Sequence, residues 1–321
     1  MEASNKILIT DSLFIAPEHE EALKKAGYQV ERLDKVRATE DELCAALSDK
    51  IGYILGGIEE VTDRVINSAK GLRAISFTGS GYTEFIPGHN QATLNGIAIS
   101  AAKGANAPAV AEFSLASILM MTRQIGRLAT PGGKSFYVAP AFGDTTVGII
   151  GYGAIGSRVA RLCESVGLKV ICHSRSSDQL LQDNRQNVAL EELLSHSDVV
   201  SLHVNKHHGK WVLAADKIAR LRDGAAIVNC AFADALDRNA LAAHLADGRL
   251  TAFFDSSAYQ ADEILAFPAG AVTCTNSQTA FNTARSNRAV SDRVTASLIN
   301  LLDEKADRDL VNPEYLKYRY R

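Results

Sequence analysis

The chain has 321 residues, 46% of them hydrophobic and 22% charged, with a formal net charge of -3. That size and balance suit about two globular domains with full apolar cores. The near-neutral charge excludes electrostatic attraction to nucleic acid or to an anionic membrane as a main role. The opening MEASNKILIT lacks the basic start and apolar run of a signal peptide, and no apolar run is long enough to span a bilayer. Cys44, Cys163, Cys172, Cys230 and Cys274 are odd in number and widely spread, as expected of buried thiols in a reducing cytoplasm.

Residues 1–104 read as repeated strand–helix units. Ile7–Thr10 is a strand, Pro17–Ala26 a helix stopped at Gly27, and Tyr28–Leu33 a second strand. Thr39 and Glu42 have the spacing of a capping box for the next helix. Tyr53–Leu55 runs into Gly56-Gly57, Val61–Ala69 is helical, and Leu72–Phe77 runs into Thr78-Gly79-Ser80-Gly81-Tyr82. Gly96–Ser100 is a further strand. Strands alternating with helices imply a parallel sheet covered on both faces. The glycine clusters either hold a small anion on exposed backbone N–H groups or are only tight turns.

Pro108–Arg123 reads as a long helix, and Gln124–Gly143 as an irregular connecting arm. Then comes TTVGIIGYGAIGSRVARLCESVGLKVICHS, residues 145–174. It is a β-run, a glycine turn (Gly151, Gly153, Ala154, Ile155, Gly156), an amphipathic helix stopped at Gly167, and a second β-run. This is GxGxxG in the strand–turn–helix–strand context that a dinucleotide site requires. Gly151 permits the turn, Gly153 lets a pyrophosphate approach, and Gly156 lets helix and strand pack. The alternative is a degenerate unit that binds nothing. Strands recur at Val199–Val204, Ala225–Cys230, Leu250–Phe254 and Ala271–Thr275, with helices at Leu213–Leu221 and Asp237–Asp247. Thr283–Asp303 is a long helix that returns the chain to the first domain. The tail Tyr315–Arg321 reads as packed or solvated, and His207-His208 as a solvated turn, so no metal site is expected.

The order of motifs resembles the D-isomer-specific 2-hydroxyacid dehydrogenases, the family of phosphoglycerate dehydrogenases and glyoxylate reductases. Thr78–Tyr82 is similar to its substrate-domain glycine loop, and Ala109–Phe113 to the start of its interdomain helix. Thr146–Gly156 is similar to its "VGIIGxGxIG" turn, Asp198–Val204 to the strand with its characteristic histidine, and Ala226–Asn229 with Leu236–Leu241 to a further strand and helix. The resemblance implies an α/β fold of two doubly wound parallel-sheet domains with a cleft between them. A flavodoxin-like substrate domain would span 1–108 and 288–321, and a Rossmann nucleotide-binding domain 109–287, through which the family usually dimerises. It also implies hinge closure on cofactor binding.

The family's carboxylate-binding arginine follows "VNxA", where this chain has Phe232. Its glutamate follows "DVF", matched here to Ala258, and its proton-relaying histidine is matched by Gln278. Glutamine cannot deliver a proton near neutral pH. The second β-run ends in Ser174-Arg175-Ser176 rather than in an acid, which favours a 2′-phosphate and hence NADP over NAD. The alternative is a solvated Arg175. The expected cofactor-binding residues are Gly151, Gly153, Ala154, Ile155, Gly156, Ser174, Arg175, Ser176, His203, Asn229 and Asp255. Gly56, Gly57, Ser80, Gly81, Asn106 and Phe232 are the expected substrate-binding residues. Gln278, Tyr259 and Lys103 are the candidate catalytic groups, although Tyr259 also suits packing and Lys103 solvation.

Three functions remain open. The first is a cytoplasmic, homodimeric NADP-dependent oxidoreductase with a remodelled site, acting on a small molecule other than a simple 2-keto acid. The second is a catalytically inactive cofactor-binding sensor, scaffold or partner subunit. The third is a slow 2-keto acid reductase.

Overall fold

The structure is a computed structural model that describes residues 4–10, 15–35, 37–133, 136–205 and 212–319. The expectation for His207-His208 lies outside these residues. The chain falls into two compact units, Met1–Asn106 with Thr283–Arg321, and Ala107–Asn282.

In the first unit, β1 (Lys6–Thr10), α1 (Pro17–Lys25), β2 (Gln29–Leu33), α2 (Glu40–Ala46), β3 (Gly52–Leu55), α3 (Asp63–Ser68) and β4 (Ala74–Phe77) follow in turn. The short α4 (Tyr82–Phe85) and α5 (His89–Leu94) lead to β5 (Ala98–Ala101). The second unit opens with α6 (Ala107–Thr122) and α7 (Ile125–Ala129), then β6 (Thr146–Ile150), α8 (Gly156–Ser165) and β7 (Lys169–His173). It continues through α9 (Asp178–Gln182), α10 (Leu190–His196), β8 (Val199–Leu202), α11 (Ala215–Ile218) and β9 (Ala226–Asn229). It ends with α12 (Arg238–Ala246), β10 (Thr251–Phe254), α13 (Ala261–Leu265) and β11 (Val272–Cys274). Finally α14 (Ala284–Leu302) belongs to the first unit.

Both sheets are parallel. Their orders are β2-β1-β3-β4-β5 and β11-β10-β9-β8-β6-β7. β3, β4, β5, β8, β9 and β10 are buried at every residue, as parallel strands covered on both faces must be. In the second sheet the chain reverses direction across β6, which pairs with both β7 and β8. Ligands of doubly wound sheets bind at such a switch point, beyond the carboxyl ends of the strands. The glycine turn follows β6 there.

Local chemistry sets the helix ends. The capping box at α2 is formed: Thr39 Oγ1 accepts from Glu42 N at 3.3 Å, and Glu42 Oε2 accepts from Thr39 N at 3.0 Å. The helix expected from Val61 starts at Asp63 instead, because Val61 N donates to Phe85 O at 2.8 Å and Thr62 is the cap. The helix expected over Leu213–Leu221 shrinks to α11. Leu213 bridges to Leu236, and Arg249 draws the carbonyls of Ile218 and Leu221. The expected boundary at 287/288 falls inside α14, which Thr283 caps through Ser286 N at 3.1 Å. Val290, Val294, Leu298 and Leu301 of α14 bury themselves against Ile7, Ile9 and Ile54. Burial on that scale stabilises by about 1.5–3 kcal/mol per side chain as an upper figure.

Among the described residues no helix is long and apolar enough to cross a membrane, and no cluster of His, Cys, Asp or Glu is arranged to hold a metal ion.

Candidate functional site: a dinucleotide turn and the strand ends beside it

The three glycines of the turn have different reasons to be glycine. Gly151 has φ 92°, a left-handed conformation, and a Cβ there would also overlap the carbonyl of His203. A Cβ on Gly156 would overlap the carbonyl oxygen of Gly151. Gly153 is different: it is exposed, its φ is not left-handed, and nothing lies within 4 Å of the place a Cβ would take. The fold itself does not require that glycine, and the open space beside it suits a ligand. Ala154 and Ile155 complete the turn, and no side chain caps α8. Its first N–H groups and the positive end of its dipole therefore suit an anion. Between the first two glycines, Tyr152 is buried and donates to Asp183 Oδ2 at 2.8 Å, which ties the turn to the residue after α9. Burial pushes its phenol pKa up.

The end of β7 carries the second part of the site. Asn187, which gave no signal in the sequence, clasps Ser174 on both sides. Its Oδ1 accepts from Ser174 N at 2.9 Å and its Nδ2 donates to Ser174 O at 2.8 Å. Ser176 Oγ accepts from Asp178 N at 3.4 Å. Arg175 is exposed and has no acidic partner among the described residues. His203, at the end of β8, is half-buried, and its Nε2 meets Ser201 Oγ at 2.8 Å. Desolvation pushes its pKa down to about 3, so the ring is neutral over the physiological range.

The loops after β9, β10 and β11 carry the remaining candidates. Asn229 is buried. Its Nδ2 donates to Phe232 O at 2.8 Å and its Oδ1 accepts from Ala231 N at 3.0 Å, so it shapes the loop that presents Phe232. Asp255 does the same for the Gln278 loop. Its carboxylate accepts from Thr279 N at 3.0 and 3.1 Å, from Ala280 N at 2.8 Å and from Thr275 Oγ1 at 3.0 Å. Gln278 is exposed, and its Nε2 donates to Ala231 O at 3.1 Å, next to Phe232.

Two candidates on the β10 loop change character. Tyr259 is 6% exposed, stacks edge-on against Phe254 and Phe267, and donates its hydroxyl to Arg238 O at 2.9 Å. It is a core residue with a satisfied hydroxyl and leaves the catalytic set. Ala258 is 3% exposed within the same apolar cluster, and its carbonyl takes a guanidinium N–H from Arg238. A glutamate there would bury its charge among aliphatic side chains, so position 258 is not where this loop presents a functional group. Ser257, one residue before, and Gln260, two residues on, are the exposed polar side chains beside it.

The expected residues of the first unit lie beyond the ends of β3, β4 and β5. Gly56 N donates to Thr10 Oγ1 at 3.3 Å, and Gly57 is buried. Behind them Glu59 is fully buried and accepts from Tyr53 Oη at 2.8 Å. This acidic network was missed in the sequence, because a tyrosine within a strand reads as core. Ser80 Oγ accepts from Gly104 N at 3.2 Å, which joins the Ser80-Gly81 turn to the Lys103–Asn106 loop. Lys103 is exposed, with its ammonium 5.8 Å from the Tyr82 ring centre, and Asn106 closes the unit.

A parallel sheet with this turn at its switch point defines a dinucleotide-binding Rossmann unit. Residues 115–266 match the NAD binding domain of the D-isomer specific 2-hydroxyacid dehydrogenases. A D-3-phosphoglycerate dehydrogenase of Haemophilus influenzae is 33% identical over 241 residues, 72% of this chain and 57% of that protein. The chain spans about half the length of the curated relatives it matches. A solved acyclic imino acid reductase in complex with NADPH and D-arginine has a TM-score of 0.83 at 22% identity, covering 95% of this chain and 99% of that one. An NAD-bound 3-phosphoglycerate dehydrogenase of Entamoeba histolytica has a TM-score of 0.81 at 21% identity, covering 97% and 99%. At such identities these two likenesses establish the fold. The chain belongs to the D-isomer-specific 2-hydroxyacid dehydrogenases, a family of oxidoreductases that bind NAD or NADP.

Proposed function

We propose that this chain is an NADP-dependent oxidoreductase whose substrate carries a C=N bond rather than the carbonyl of a 2-keto acid. The observation that carries the reading is Gln278. It stands where the family resemblance puts a histidine, and its amide nitrogen is already engaged with Ala231 O. Bound NADPH would supply a hydride. A carbonyl that accepts hydride becomes an alkoxide and needs a proton from the protein, whereas a protonated imine becomes a neutral amine and needs none. Loss of a general acid typically costs on the order of 10²–10⁴ in rate for the first reaction. The second is free of that loss. Phe232 supports the same reading: an aromatic ring cannot pair with a substrate carboxylate, but it suits an iminium cation through its π face. The reductase of similar fold whose structure holds NADPH and D-arginine is a precedent for such chemistry on this scaffold.

The residues of the turn fit the cofactor. Gly151, Gly153 and Gly156 with the N-terminus of α8 would hold the pyrophosphate. Ser174, Arg175 and Ser176 would hold the 2′-phosphate, where the guanidinium of Arg175, without an acidic partner among the described residues, favours NADP. His203, Asn229 and Asp255 would line the nicotinamide end, the last two by fixing the loops that carry Phe232 and Gln278. Exposed Ile125, Leu128, Phe136 and Val138 support a homodimer through the second unit, which light scattering checks.

Parallel titrations with NADPH and NADH, followed by turnover of cyclic imines, of imines formed from 2-keto acids and amines, and of the free 2-keto acids, test the proposal. NADPH is expected to bind tighter, and imines to turn over faster than glyoxylate or hydroxypyruvate. Preferential NADH binding sinks the cofactor assignment. Tight NADPH binding without turnover of any substrate favours a binding-only protein. Gln278→His with Phe232→Arg is expected to raise keto-acid reduction at least about tenfold. Ala258→Glu, buried as it would be, is left out of that design.

A further inference from the structure

The first unit holds a cavity of about 390 Å³ lined by Lys103, Arg293, Arg308, Asp309, Leu310 and Val311. The fold builds it where the segment 309–311 runs antiparallel beside β5. Ala101 N donates to Asp309 O at 3.0 Å, and Val311 N donates to Ile99 O at 2.8 Å. Leu310 and Val311 also line it, their side chains packing into two different apolar clusters of the unit. The rest is charged, and the charges do not cancel. Asp309, 7% exposed at its side chain, is gripped by the fork of Arg293, with Nε donating to Oδ2 at 2.9 Å and Nη2 to Oδ1. The remaining Nη1 of Arg293 donates to Lys103 O at 3.0 Å, which fixes the backbone of that lysine at the cavity.

The single carboxylate of the lining is therefore matched by Arg293. Lys103 and Arg308 are left over. The Lys103 ammonium has no ion-pair partner among the described residues and lies near the Tyr82 ring. Arg308 is 78% exposed, and among the described residues the one acid that pairs with it is the already paired Asp309, at 3.9 Å. Three cations and one anion line a pocket that is larger than an inorganic anion needs.

We propose that this pocket binds the oxyanion of a small organic molecule, a carboxylate or a phosphate ester, with Lys103 and Arg308 as its counter-charges. Lys103 is then an anion-binding residue and not a proton carrier. Because Gly104 N is tied to Ser80 Oγ, an occupied pocket also steadies the Lys103–Asn106 loop against the Ser80-Gly81 turn. Every lining residue belongs to the first unit, so the inference stands or falls apart from the dinucleotide site of the second.

Calorimetric and thermal-shift titration of the full chain with inorganic phosphate, glycerol 3-phosphate and acetate, at ionic strength held constant with chloride, tests it. Saturable binding is expected, weakened at least about tenfold by Arg308→Glu and by Lys103→Met. NADPH affinity should be unchanged in both variants, which certifies that they are folded. Tighter binding of the phosphate ester than of acetate identifies a phosphoryl ligand, and the reverse identifies a carboxylate. Stabilisation no greater than that of chloride, or binding that Arg308→Glu leaves unchanged, overturns the proposal.

Discussion

The turn after β6 and the loops after β9, β10 and β11 sit at the same end of one sheet, yet they are held in opposite ways. The turn is held by backbone geometry. Gly151 and Gly156 are fixed by carbonyls of the chain itself, and one position, Gly153, is left open. The loops are held by side chains: Asn229 grips 231–232, Asp255 grips 279–280, and Gln278 reaches across to Ala231. A site held by backbone keeps its ligand geometry whatever its side chains become. A site whose polar side chains are turned inward on the loops keeps its shape while its chemistry changes. The difference explains how a chain can retain the family's cofactor turn and carry Phe232 and Gln278 where the resemblance expects arginine and histidine.

Substitutions sharpen or break that contrast. The largest effect is expected at Gly156→Ala, where the new methyl meets the Gly151 carbonyl. A loss of about 3 kcal/mol of unfolding free energy should appear in denaturant titration of the cofactor-free protein. Asp255→Ala comes next. It strips the acceptor from Thr279 N and Ala280 N, at about 2 kcal/mol for hydrogen bonds to a charged group. Hydrogen exchange should quicken over 278–280 and leave the glycine turn protected; equal loosening of both would contradict the separation drawn between them. Gly153→Ala is expected to leave the cofactor-free stability unchanged and to weaken NADPH binding at least about tenfold, close to 1.4 kcal/mol. A cofactor affinity unchanged by that methyl would remove the reason for calling the space a ligand's.

The smallest effect concerns pH. His203 stays neutral in the folded chain down to about pH 3. In the unfolded chain it takes up a proton near its ordinary pKa of about 6.5. The unfolded state therefore binds the extra proton between those values, and stability falls as pH falls through that window. His203→Gln should flatten this slope by about 1 kcal/mol, since the ring is only half-buried and solvent screens part of the shift. Urea midpoints at pH 7 and pH 4.5 measure it.

Much of this was legible before the structure. The glycine spacing, the strand–helix alternation and the α14 stripe of Val290, Val294, Leu298 and Leu301 are periodic features, and periodicity survives into three dimensions. The candidate site was less legible, because a side chain's role depends on where it points. Tyr259 and Gln278 are both polar residues on strand-end loops, but only burial tells the first from the second. Ala258 looked like a lost glutamate by its distance from Asp255, and its place in the apolar cluster removes that equivalence. Asn187 and Arg293 act through partners 13 and 16 residues away, Ser174 and Asp309, at spacings that no local motif marks.

The open space at the Cβ position of Gly153 also makes this turn chemically addressable. The native thiols Cys163, Cys172 and Cys230 are pushed up to about 11 or 12 by burial and are poor nucleophiles at neutral pH. A cysteine introduced at 153 would be exposed at the mouth of a helix N-terminus, where a thiolate is favoured. Its alkylation rate would then report, in real time, whether the turn is occupied.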